Sequence, residues 1–180
     1  MIYVFLADGF EEMEALAPLD ILRRAGLKVA TVGVTGSFVT AAHGVAVKTD
    51  LNLNDISEDM CEGVILPGGM PGTNHLKESE KVCSFTLKAY KKGAMIAAIC
   101  AAPSVLGKLG ILNQKNATCF PGFESELLGA TVTDDYVTVC ENIITARGAG
   151  ASIEFGLALV SYLLSEEKSK ELRASMQCVR

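Results

Sequence analysis

Cys100 lies in the run Ala98-Ile99-Cys100-Ala101-Ala102. A short apolar stretch at 94–99 precedes it and a helix-forming stretch through residue 109 follows, so the pattern predicts a thiol on a strand-to-helix turn. Small residues two positions to either side let the backbone double back, as they do in the serine elbow G-x-S-x-G. A sulfur placed there would sit near a helix N-terminus, whose positive end favours thiolate and lowers the thiol pKa. A buried structural cysteine closing a strand fits the same spacing equally well.

Two further groups could serve such a sulfur. Glu11, Glu12 and Glu14 follow the first apolar run, and Pro67-Gly68-Gly69-Met70-Pro71-Gly72 follows another. A positioned carboxyl can move a proton, and glycine amides can approach a ligand without side-chain interference. Thiol, acid and exposed amides together make a nucleophile, acid/base and oxyanion set. Singly, each has a plainer reading: acids at a helix start cap it, and a Gly-Gly pair makes a turn. Of the two histidines, His43 and His75, the second follows the glycine-rich loop within reach of a pocket there. A surface loop position is the plainer reading for it.

These groups meet only if the elements carrying them end at one edge. Apolar runs at 2–7, 28–34, 63–66, 94–99, 117–120, 136–140 and 143–146 read as strands. Helical periodicity marks 11–25, 79–92, 100–109, 151–164 and 166–174, and 38–49 reads as a hairpin excursion. Repeated strand–helix–strand units predict an α/β fold: a mostly parallel sheet with helices on both faces. Ligands of such sheets bind outside the C-terminal strand ends, where the loops 8–14, 67–72 and 100–103 should gather. No linker, repeat or low-complexity stretch divides the chain, so one domain over 1–180 is expected.

Composition narrows the classes of function. The 180 residues are 49% hydrophobic, with 6% aromatic residues and no Trp. A net charge of −5 and a pI near 5.1 carry no basic footprint, which counts against nucleic acid or an anionic membrane as partner. The opening apolar run is too short and too soon followed by acids for a signal peptide, and no stretch is long enough to cross a bilayer. A cytoplasmic location follows as the expectation. The six cysteines are scattered without CxxC or Cys/His spacing, so neither a disulfide framework nor a metal site is expected.

Several motifs together resemble the ThiJ/PfpI superfamily. They are Asp8-Gly9-Phe10-Glu11-Glu12-Met13-Glu14, Arg23-Arg24-Ala25-Gly26, Leu66-Pro67-Gly68-Gly69, Ala97-Ala98-Ile99-Cys100-Ala101-Ala102-Pro103, and Arg147-Gly148-Ala149-Gly150-Ala151 with Glu154-Phe155. They occur in family order over nearly the whole chain, and more narrowly resemble the branch of the Parkinson-disease-associated protein deglycase and bacterial YajL. The resemblance implies a flavodoxin-like three-layer sandwich of the class I glutamine amidotransferase-like type, a homodimer, and an oxidation-sensitive cysteine at position 100. It implies that the protonated Glu14 carboxyl hydrogen-bonds the sulfur and that Gly69 and Ala101 offer backbone amides. Two departures stand out: Ala101 and Phe120 occupy positions where relatives can carry histidine.

The resemblance implies cofactor-free action of Cys100 and Glu14 on small reactive carbonyls, such as methylglyoxal, or on early glycation adducts of proteins. Gly68, Phe120 and His75 are candidate pocket residues. The alternative is an oxidation-sensing protein or redox-regulated chaperone without turnover. A role in thiazole phosphate synthesis, or as an amidase or peptidase, ranks last because no Cys-His-acid triad is available.

Overall fold

Alternate side chains of a strand point to opposite faces of its sheet, so a strand apolar at every position must be covered on both sides. Strand β1 (Ile2–Leu6) is of this kind, with every residue buried. Ile2, Val4 and Leu6 enter one core, and Tyr3 and Phe5 the other. The computed structural model describes residues 1–178, so the last two positions of the expected 1–180 domain lie outside it.

After β1 the chain runs through α1 (Glu12–Arg24), β2 (Val29–Gly33), the hairpin β3 (Phe38–Thr40) and β4 (Ala46–Lys48), then β5 (Leu51–Asn52) and β6 (Gly63–Leu66). It continues through α2 (Gly72–Glu78), α3 (Glu80–Lys91), β7 (Met95–Ile99), α4 (Pro103–Lys108), β8 (Asn116–Ala117) and β9 (Thr131–Val132). The hairpin β10 (Val137–Cys140) and β11 (Ile143–Ala146), then α5 (Ser152–Leu163) and α6 (Glu166–Ser175), complete it. The seven-stranded sheet has the order β10-β11-β7-β6-β1-β2-β5. All its pairings are parallel except β10 with β11.

Helices α1 and α5 cover one face, where Leu22, Phe155 and Leu159 pack on Val4, Ile65 and Ile99. Helices α3 and α4 cover the other, where Phe85 stands edge-on to Tyr3 and Phe5 with ring centroids 5.6 and 5.7 Å away. Burial of these rings and aliphatic chains is the main stabilising term of such a core.

Two expectations need correction, and one helix was not foreseen. The stretch 100–109 is helical only from Pro103 to Lys108, because the chain must first turn off β7 before a helix can start. The run 117–120 is not a strand of the main sheet; only Asn116 and Ala117 pair, with Thr131 and Val132. A helix after the glycine-rich loop, α2, went unread because its short, polar sequence carries little apolar periodicity.

Candidate active site

In the strand order, β1 has β2 on one side and β6 on the other, so the chain crosses over in opposite directions from this point. Such a switch opens a crevice beyond the C-terminal strand ends. The loops after β1, β6 and β7 meet there, and they carry Glu14, Gly68-Gly69 and Cys100.

Cys100 follows β7 directly and has φ +65°, a left-handed conformation that costs a side-chain-bearing residue energy. Its N–H donates to the Ala146 carbonyl at 2.9 Å, and its carbonyl accepts from Phe120 N–H at 2.8 Å. Both bonds hold the strained turn in place.

Glu14 comes to the sulfur from α1. Glu11 caps that helix, its Oε2 accepting from Glu14 N–H at 2.8 Å. Helical geometry then turns Glu14 inward, where only 1% of its surface is exposed. Its Oε2 accepts from Gly68 N–H at 3.0 Å, and its carboxyl shares a hydrogen bond with the Cys100 thiol. The turn at Gly68 is what allows this approach. A Cβ there would lie 2.5 Å from Glu14 Oε2 and 2.6 Å from Cys100 Cβ, closer than any side chain tolerates. Gly69, at φ +87°, packs on the loop after β1, where a Cβ would meet Glu11 N at 2.4 Å.

The electrostatics reverse one expectation. Burial pushes the Cys100 thiol up to about 12, helped by the charge and hydrogen bond of Glu14, while the Gly69 and Ala101 amides oppose the rise. Helix α4 begins only at Pro103, three residues after Cys100, and burial outweighs whatever its positive end offers the sulfur. Burial likewise raises Glu14, to about 7, with the Glu11 charge adding to it. Two acids lifted by one dry site and bonded to each other hold a proton between them, so an ionised sulfur requires that Glu14 carry it.

The profile of the DJ-1/PfpI family matches residues 1–162. The chain belongs to the DJ-1/PfpI family. It is 38% identical to Protein dj-1beta of Drosophila melanogaster over 94% of this chain and 92% of that protein. It is 33% identical to a Caenorhabditis elegans protein named Glutathione-independent glyoxalase DJR-1.2, over 90% of this chain and 87% of the relative. It spans 39% and 44% of two Arabidopsis thaliana relatives, Protein DJ-1 homologs B and A. Among solved structures, oxidized Toxoplasma gondii DJ-1 superposes with a TM-score of 0.93 at 32% identity, covering 98% of this chain and 97% of that one. The fold is therefore the flavodoxin-like α/β sandwich of the DJ-1 branch.

Within this DJ-1/PfpI fold, Cys100, Glu14, Gly68, Gly69 and Ala101 come together, and Phe120 borders them. A Cβ on Gly148 would lie 3.1 Å from the Phe120 ring and 4.0 Å from Glu14 Oε1, so ring, glycine and carboxyl adjoin. His75 is turned elsewhere: its Nδ1 bonds the Asp8 carbonyl at 2.8 Å, tying α2 to the loop after β1. His43 caps the hairpin side of that loop, with its N–H and Nδ1 each 2.8 Å from a Glu12 oxygen. Glu11, Glu12 and His43 bring potential metal-ligand atoms within 4.8 Å of one another, but both Glu12 oxygens are already engaged by His43.

Sequence reasoning missed Arg147 and Tyr136 as site residues. They stand opposite each other at the open end of the β10–β11 hairpin, where Arg147 N–H donates to the Tyr136 carbonyl at 3.1 Å. The available signal was a basic residue directly after a buried strand. Among the described residues, no helix is long and apolar enough to cross a membrane.

Proposed function

We propose that this chain is a cysteine-dependent, cofactor-free enzyme converting small α-dicarbonyls, such as methylglyoxal, to hydroxy acids, with early glycation adducts as related substrates. The observation that carries this reading is the buried Glu14 carboxyl hydrogen-bonded to Cys100 and raised to about 7, a proton carrier poised at neutral pH beside a nucleophile. The name of the Caenorhabditis elegans relative, a glutathione-independent glyoxalase, supports the reaction type.

The thiol proton passes to Glu14 as sulfur attacks the aldehyde carbon. A C–S bond forms, the carbonyl electron pair moves to oxygen, and that oxygen takes the proton, giving a hemithioacetal. The Gly69 and Ala101 amides, which favour negative charge on the sulfur, would also stabilise the charge that develops on the adjoining oxygen. Glu14 then removes the proton from the former aldehyde carbon and returns one to the neighbouring carbon. The first carbon is thereby oxidised to a thioester and the second reduced to an alcohol, so the electrons balance within the substrate. Water cleaves the thioester, releasing hydroxy acid and free thiol.

Lactate formation from methylglyoxal by wild type, Cys100→Ser and Glu14→Gln tests the reading. Loss in both variants is expected, and equal rates in all three would end it. The homodimer belongs to the same proposal and is checked by light scattering.

A second reading is favoured by the same carboxyl. A protonated Glu14 could donate to a Cys100 sulfinate formed by peroxide, making the residue an oxidation sensor. Intact mass after mild peroxide should then show two oxygens added at Cys100; no selective addition there removes this reading.

A further inference from the structure

A cleft of about 390 Å³ adjoins the candidate site through Phe120 and Gly148, walled by Phe120, Pro121, Tyr136, Arg147 and the 148–151 turn. Its inner wall is the Phe120–Gly148 contact that also borders Glu14. It opens at the same sheet edge as the reaction centre for a topological reason. Ala146 of β11 lies opposite Ile99 of β7, so the next residue of each strand, Arg147 and Cys100, emerges at the same sheet edge.

The walls are mostly apolar side chains and backbone, with one charge among them. The Arg147 guanidinium donates from Nη1 to the Asp134 carbonyl at 3.1 Å, and among the described residues it has no carboxylate partner. The nearby Glu124 carboxylate is turned to Gly122 N–H, at 2.7 Å. Most other basic side chains of this acidic protein do find an acid, as Arg23 does Asp50 and Arg24 does Asp20. A half-buried guanidinium with free donors is a ready partner for a planar or tetrahedral oxyanion. The cleft is also far roomier than a small neutral dicarbonyl needs.

We propose that this cleft holds an anionic substituent of the substrate, a carboxylate or a phosphate ester on the carbonyl compound, with Arg147 as the residue that selects it. The proposal rests on Cys100 being the reacting centre for carbonyls. It makes the preferred substrate an α-dicarbonyl that also carries a carboxylate or phosphate group.

The test reads the cleft without requiring turnover. Cys100 in the full chain is alkylated by iodoacetate and by iodoacetamide at low salt, and the ratio of the two rates is taken, which normalises any change in the sulfur itself. Arg147→Gln should lower that ratio about tenfold, the effect of losing one favourable charge contact. Arg147→Lys should restore most of it, and Lys168→Gln, an equal charge loss on α6, should leave it within about twofold. A ratio that does not change in Arg147→Gln, or that falls equally in Lys168→Gln, overturns the proposal. Inorganic phosphate and glycolate are then compared as protectants against iodoacetamide. Protection by either that disappears in Arg147→Gln supports the cleft and names its oxyanion, and protection by neither overturns it. Absence of lactate formation with a falling ratio would sink only the proposed reaction. Lactate formation with a constant ratio would sink only the anion cleft.

Discussion

Glu12 and Glu14 stand two residues apart on the first turn of α1, and their surroundings are opposite in kind. Glu12 faces the hairpin; although partial burial acts to raise it, bonds to the His43 ring and backbone hold its carboxyl below the usual range. Glu14 faces the crevice, where burial and the Glu11 charge lift it to about 7. One residue is a charged tie and the other a proton carrier. The difference comes from helical phase, since a rotation of two residues carries a side chain from the outer surface to the interior face.

If this contrast is real, the two carboxyls must respond differently to the same substitution. Glu14→Gln should lower lactate formation by at least about 100-fold, as expected for a lost acid/base group. It should at the same time speed iodoacetamide labelling of Cys100 by about tenfold, because the charge that holds the thiol up is gone. A fall in both rates would mean that the carboxyl only shapes the site.

The contrast also has a pH signature. An unfolded glutamate ionises near 4.5 and this one near 7, so unfolding releases a proton in between and folded stability falls as pH rises through that window. The loss is complete above about pH 7 and amounts to roughly 3 kcal/mol at most. Denaturant melts from pH 4 to 8 should show this slope in wild type and a flatter curve in Glu14→Gln; identical slopes would contradict the buried carboxyl.

Gly68→Ala sharpens the comparison by crowding one side only. Its methyl must displace the Glu14 carboxyl or the Cys100 Cβ, so about 1–3 kcal/mol of stability should be lost. Turnover should fall with it while the Glu12–His43 pair is undisturbed. Thermal melts and lactate assays check both.

The smallest effects belong to Glu12. Glu12→Gln should change turnover by less than about threefold, as for most exposed ion pairs. His43 is raised by its hydrogen bond to Glu12 and by that charge, so the ionic tie is present below the raised value and is lost as pH climbs through it. The protection factor of the His43 amide, whose N–H bonds Glu12, should fall accordingly; a protection factor constant with pH would detach the hairpin from this control.

How much of this was legible beforehand varied with the kind of information needed. The buried strands at 2–7, 63–66 and 94–99 were readable because a run apolar on both faces has few other folds available. Cys100 was found because small residues around a thiol leave a local mark, whereas the acids at the helix start marked Glu11, Glu12 and Glu14 alike and only the family resemblance singled out Glu14. Arg147 stood within a family motif but without a role, because what brings it to the edge that carries Cys100 is β11 lying beside β7, a pairing between segments distant in the chain. Phe120 was named, but its run was misread as part of a main-sheet strand, since four apolar or small residues fit strand and loop equally well.

By itself the sequence determined the alternation of strands and helices, the sharp turn at Cys100 and the acid-rich start of α1, because periodicity and local sterics act over a few residues. Local pattern left Glu11, Glu12 and Glu14 alike; the family resemblance pointed to Glu14, and the tertiary structure puts it against the sulfur. The tertiary structure alone decided that the thiol is lifted rather than lowered, and that Arg147, which has no carboxylate partner among the described residues, emerges at the same sheet edge. Burial and long-range pairing set those outcomes, and neither is a property of any short stretch of chain.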